Sequence, residues 1–135
     1  MIAIDTNVLV RVLTDDDESP IQTQLARQLV QREGCVYIPQ IVQVELVWVL
    51  ERAYELDKTQ IIHALTLLKE SSLYQLQSPE KFDLALQRFA TNNAGFADAL
   101  IATESEQSQL LLWTFDRKLS KQNGVQLLSV DSLSI

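Results

Sequence analysis

The sequence predicts an α/β fold: a central parallel sheet flanked by helices. Three observations carry that prediction. Short apolar runs alternate with helical patterns along the chain. Two of those runs lead into an aspartate, at Asp5 and Asp116, as strands of an open α/β sheet do where they present groups at their C-terminal edge. One run, Leu110-Leu111-Leu112-Trp113-Thr114, is continuously apolar, as expected of a strand at the centre of a parallel sheet.

The elements follow in order. Ile2 to Ile4 is a first short strand, ended by Asp5, and Val8 to Leu13 is a short helix. The acids Asp15-Asp16-Asp17-Glu18 make a solvated loop that favours the N-terminus of the next helix. Ser19 is expected as its cap and Pro20 as its first residue, with Ile21, Leu25, Leu29 and Val30 at helical spacing and Gly34 as the stop. Cys35 to Ile38 is a second strand, closed by Pro39. Residues 40–56 carry apolar side chains on nearly every face, which predicts a helix buried within the domain or against a partner subunit. Lys58 to Glu70 is a further helix, Leu73 to Leu76 a weak third strand, and Ser78-Pro79-Glu80 opens a helix to about Thr91. Asn92 to Gly95 is a turn, and Phe96 to about Ser108 a helix. After the run 110–114, Asp116 to Lys121 forms a short helix and Val125 to Val130 a last strand.

With 135 residues, 47% of them hydrophobic and 21% charged, the chain has the size and composition of one globular domain, residues 1–135. No repeat or linker marks a second. No uninterrupted apolar stretch of about 18 residues is present, so no membrane span is expected. The N-terminus lacks the pattern of a signal peptide. The lone Cys35, set in an apolar run, is expected to be a buried thiol, and a reducing, cytoplasmic setting fits it. The net charge of −7 argues against a nucleic-acid partner unless some acids serve a metal site, and setting aside the four acids named below leaves −3.

Those four are Asp5, Glu45, Asp98 and Asp116. Asp5 and Asp116 can each cap a following helix. In a parallel sheet, however, the two strand ends point the same way, so both carboxylates can converge. Glu45 has Ile41, Trp48 and Val49 one turn away, an apolar face on which an unpaired carboxylate is costly. Asp98 stands in the first turn of its helix among Ala94, Ala97, Ala99, Ile101 and Ala102, surroundings that suit a packed cleft. Four carboxylates in one cleft repel each other unless a cation neutralises them. Oxygen-only ligands suit Mg²⁺ or Mn²⁺. Such an ion beside a phosphodiester activates water and stabilises the attacking and leaving oxygens. His63, isolated in mid-helix, is no zinc ligand. Arg117, Lys118 and Lys121 directly follow Asp116, and Arg11 lies one to two turns beyond Asp5; these could hold RNA phosphates or simply form a solvated face.

With these residues in hand, the chain resembles the PIN-domain family, and within it the VapC-type ribonuclease toxins of bacterial toxin–antitoxin pairs. The resemblance covers nearly the whole chain. Its carriers are Ile4-Asp5-Thr6-Asn7-Val8-Leu9, Ile38-Pro39 leading into Val44-Glu45-Leu46 and Trp48-Val49-Leu50, Phe96-Ala97-Asp98-Ala99-Leu100-Ile101-Ala102, and Thr114-Phe115-Asp116-Arg117-Lys118-Leu119. The resemblance implies a Mg²⁺- or Mn²⁺-dependent endoribonuclease with Asp5, Glu45, Asp98 and Asp116 as its acidic cluster. Asp5 and Asp98 would be direct ligands. Thr6, Asn7 and Thr114 would shape the site by hydrogen bonding. It also implies strand order 3-2-1-4-5, a homodimer, and inhibition by a cognate antitoxin whose tail crosses the active-site groove.

Three other readings remain. A haloacid-dehalogenase-type phosphatase also opens with Asp after a first strand, but wants a second acid two residues on, where this chain has Asn7. A phosphoacceptor receiver domain wants an acid pair and a late lysine that are not clear here. The third is a catalytically silent PIN-fold binding module, against which the presence of all four acids counts.

Overall fold

The computed structural model describes residues 1–134; Ile135, the last residue of the expected domain, lies outside the described residues. The chain groups into two compact units, Met1–Pro79 and Glu80 onward.

In the first unit, β1 (Ile2–Ala3), β2 (Val36–Ile38) and β3 (Tyr74–Leu76) form a parallel sheet in the order β1-β2-β3. Its register sets Ile2 against Val36, and Val36 against Tyr74. Helix α1 (Thr6–Leu13) is capped by Asp5, and α2 (Pro20–Glu33) begins at the expected proline. Gly34 closes α2 at φ 75°, a left-handed conformation that glycine adopts at little cost. Helix α3 (Gln40–Arg52) starts directly after Pro39, and α4 (Lys58–Glu70) is opened by a reciprocal capping box between Asp57 and Gln60. Val36 and Ile38 of β2, Leu9 of α1, Leu46 and Leu50 of α3, and Leu65 and Leu68 of α4 are fully buried. Gln43 is buried with them. Its amide donates to the Ile38 and Gln77 carbonyls at 3.2 and 3.1 Å, which ties α3 to the ends of β2 and β3.

In the second unit, α5 (Pro79–Thr91) and α6 (Phe96–Gln107) pack through an aromatic cluster. Phe96 meets Phe82 at 5.7 Å between ring centroids and Phe89 edge-on at 6.0 Å. Strands β4 (Leu112–Thr114) and β5 (Val125–Leu127) form a parallel pair, with Leu112 opposite Val125 and Thr114 opposite Leu127. Leu119, in a single 3₁₀ turn (Leu119–Lys121), is buried with Ala94 and Ala102 beneath Leu112 and Val125.

Several expectations need correction. The strands form two sheets, 1-2-3 and 4-5, rather than one sheet in the order 3-2-1-4-5. The physical reason lies in strand length: β1 ladders over only two residues and β4 over three. The apolar run 110–114 is not a central strand, since Leu110, Leu111 and Trp113 are exposed and β5 is its hydrogen-bonded neighbour among the described residues. The final strand stops at Leu127, and a second 3₁₀ turn (Asp131–Leu133) follows. Helix α3 ends at Arg52, where the chain turns through a left-handed Glu55. Ile21 and Leu25 of α2 are exposed, and Cys35 is half-buried rather than enclosed.

Candidate active site

Each unit brings together one pair of the expected acids. In the first, the break from β1 into α1 sets Asp5 at the helix cap, where its Oδ1 accepts from the Val8 amide at 3.1 Å. The next residue, Thr6, is turned inward and buried. Its hydroxyl donates to Glu45 Oε1 at 2.9 Å, so the second acid is fastened to the residue beside the first. Asp5 and Asn7 border a groove of about 320 Å³ between α1 and α2, lined further by Arg11, Leu25 and Leu29.

Glu45 differs from expectation in one respect. Spacing places it on an apolar face, but that face is open: Glu45 is exposed, with Ile41 and Trp48 at 71% and 45% exposure. Arg52 lies over the Trp48 ring at 5.9 Å. The carboxylate is therefore held by Thr6 and by solvent, not forced into the core.

In the second unit, Asp116 ends the β4 segment. Its Oδ1 accepts from the amides of Lys118 and Leu119 at 2.8 and 3.2 Å, and its own amide donates to Thr114 Oγ1 at 3.0 Å. Thr114 thus ties its hydroxyl to the backbone of the acid. Asp98 sits in the first turn of α6, partly buried, and neither of its oxygens has a hydrogen-bond donor or an ion-pair partner among the described residues. Burial pushes its carboxyl pKa above the usual range, and the charge of Asp116 pushes it further the same way.

Arg11 is largely committed. Its Nη1 bonds Asp16 at 3.1 Å and the Tyr54 hydroxyl at 2.9 Å, and its Nε bonds Gln22 at 3.2 Å. The Glu18 amide, the Tyr54 hydroxyl and this guanidinium hold Asp16 below the ordinary carboxylate range. Among the described residues, Nη2 of Arg11 is the nitrogen left without a partner. The sequence reading missed this lock, because Tyr54 stands 43 residues away from Arg11 and nothing in the spacing joins them. Arg117, Lys118 and Lys121 are exposed and follow Asp116 as expected.

A family model for the PIN domain matches residues 2–125. The chain belongs to the PIN-domain family. No curated protein matches it. PIN domains are typically metal-dependent nucleases, and this PIN domain has the helices and parallel strands of that nuclease-type fold. The donor chemistry of the acids fits a hard divalent cation: among the described residues Asp98 is without a donor, it is repelled by Asp116, and Asp5, Glu45 and Asp116 each direct one oxygen at a protein group. Among the described residues, no group of three or more His, Cys, Asp or Glu side chains is gathered to hold an ion. Asp5 and Glu45 belong to the first unit and Asp98 and Asp116 to the second, and nothing in them selects Mg²⁺ over Mn²⁺. No helix is long and apolar enough to cross a membrane.

Proposed function

We propose that this PIN domain is a Mg²⁺- or Mn²⁺-dependent endoribonuclease, and that it serves in the cytoplasm as the toxin of a type II toxin–antitoxin pair. The observation that carries the reading is Asp98: a partly buried carboxylate with no donor, beside a second carboxylate, in a chain of a family that is typically metal-dependent. Removing charge from water without a partner is unfavourable, so such a pair calls for a cation.

In this reading Asp5 and Asp98 are direct ligands, Glu45 is aimed by Thr6, and Asp116 acts through the oxygen its turn leaves over. When bound at these acids, a divalent cation would supply an activated water and charge stabilisation for the attacking and leaving oxygens of the phosphodiester. Arg117, Lys118 and Lys121 hold RNA phosphates. Asn7, two residues beyond Asp5 where a dehalogenase-type phosphatase wants an acid, favours the nuclease over that rival. The exposed apolar face of α3, with Ile41 and Trp48, is a fitting surface for a second copy in a homodimer.

Incubation of the purified chain with RNA tests the activity: cleavage is expected with Mg²⁺ or Mn²⁺ and not in EDTA, and metal-independent cleavage would sink the mechanism. For the toxin role, the product of a small reading frame adjoining the gene is expected to co-purify with the chain and to suppress cleavage; a silent binding module would bind without cleaving.

A further inference from the structure

We propose that Trp113 and Phe115 form a stacking platform for unpaired bases of single-stranded RNA, with Arg117 and Lys118 holding the adjoining phosphates. The proposal rests on the ribonuclease reading and adds to it the side chains that engage the RNA bases.

Leu111 stands directly before β4, Trp113 lies in it and Phe115 in the bend directly after it. They are 56%, 43% and 79% exposed. Large apolar side chains left open this close in the chain mark a surface that something covers. What covers it is indicated by the charges beside it. Of the eleven basic residues, Arg11, Arg27, Arg32, Lys81 and Arg88 are ion-paired, Arg52 lies over Trp48, and Lys58 and Lys69 have partners of their own. Among the described residues, the basic side chains left without a partner are Arg117, Lys118 and Lys121, all on the turn that follows Phe115.

In a chain of net charge −7, the unpartnered cations therefore gather next to its most exposed aromatic ring. The Asp116 carboxylate holds that turn closed by accepting from the Lys118 and Leu119 amides, so Phe115 and the two cations stand within a few residues of backbone. An aromatic ring with cations alongside is the surface that single-stranded nucleic acid takes: bases stack on the ring and phosphates meet the charges. A duplex keeps its base faces inside its own stack and offers none to a ring. An apolar protein partner would cover Phe115 but would leave the cations unused.

The test is binding of a labelled RNA oligonucleotide by fluorescence anisotropy, using the full chain in EDTA so that binding is read apart from cleavage. The single strand is expected to bind more tightly than the same sequence in a duplex. Phe115→Ala is expected to weaken single-strand binding about tenfold or more. Phe115→Trp should restore it, whereas Phe115→Leu, apolar but unable to stack, should not. Arg117→Ala with Lys118→Ala should flatten the dependence of affinity on salt, and Phe115→Ala should leave that dependence unchanged. Circular dichroism should be the same for every Phe115 variant, since the ring is mostly in solvent.

Wild-type affinity in both Phe115→Ala and Phe115→Leu, equal affinity for duplex and single strand, or a change in oligomeric state with no change in RNA affinity would each overturn the platform. Phe115-dependent binding without metal-dependent cleavage would leave the platform standing and refute the nuclease. Metal-dependent cleavage indifferent to Phe115 would do the reverse.

Discussion

The hydroxyl of Thr6 donates to the carboxylate of Glu45 at 2.9 Å, joining the first residue of α1 to the middle of α3. Two positions that are 39 residues apart are thereby set side by side, and Thr6 is the residue directly after Asp5. Thr6→Val keeps the shape and removes the donor. The variant is expected to lose about 1 kcal/mol of stability, since Glu45 retains solvent as a partner. RNA cleavage should fall about tenfold, roughly 1.4 kcal/mol of barrier, as Glu45 loses its aim. Thr6→Ser should restore both. Urea unfolding and initial cleavage rates check the two effects separately.

Asp98 yields a pH prediction. Its folded-state pKa is raised by burial and by Asp116, so the folded chain holds that proton more tightly than the unfolded one does. Its contribution to stability is therefore least favourable at neutral pH and improves as pH falls through the folded-state value. Asp98→Asn removes the desolvated charge and should raise the melting temperature at pH 7, with the advantage over wild type shrinking toward acid. If the pair takes a divalent ion, Mn²⁺ should raise the melting temperature of wild type and do so less in Asp98→Asn. Differential scanning fluorimetry across pH, with and without Mn²⁺, reads both.

Gln43 offers a stability prediction that bears on the site. Gln43→Leu fits the buried volume but leaves the Gln77 carbonyl without its donor. A loss of about 1–3 kcal/mol is expected, together with looser positioning of α3 and of Glu45 upon it. Chemical denaturation gives the first, and the Mn²⁺ concentration needed for half-maximal cleavage gives the second.

At Gly34 an added Cβ meets nothing within 4 Å, so only the left-handed backbone opposes a side chain there. Gly34→Ala should cost about 1 kcal/mol, and Gly34→Asn less, because Asn tolerates that conformation better. Thermal unfolding of the two variants tests the order.

These relationships differ in how far they could be read from the sequence. Helix α2 was legible at both ends, because Pro20 and Gly34 act through local backbone geometry. Asp5 and Asp116 were legible as strand-end residues because each follows a short apolar run, and Asp98 as a residue in the first turn of α6. Glu45 was legible as unusual but not in its exposure: spacing reveals which face of α3 is apolar, not whether anything covers it. The partner that holds it, Thr6, and the lock on Arg11 through Tyr54 are long-range contacts that no local pattern encodes. The run 110–114 misled because continuous hydrophobicity reads as burial, whereas Leu110, Leu111 and Trp113 stand in the open.

The most direct test of the central claim is a cycle of RNA cleavage rates for wild type, Asp5→Asn, Asp98→Asn and the double variant, each in Mn²⁺ and in EDTA. If acids from both units serve one metal-dependent reaction, each single variant should lose at least about a thousandfold and the double should be no worse than either, because groups that act as a unit fail together. Wild-type rates in either single variant, or cleavage that persists in EDTA, would contradict the account.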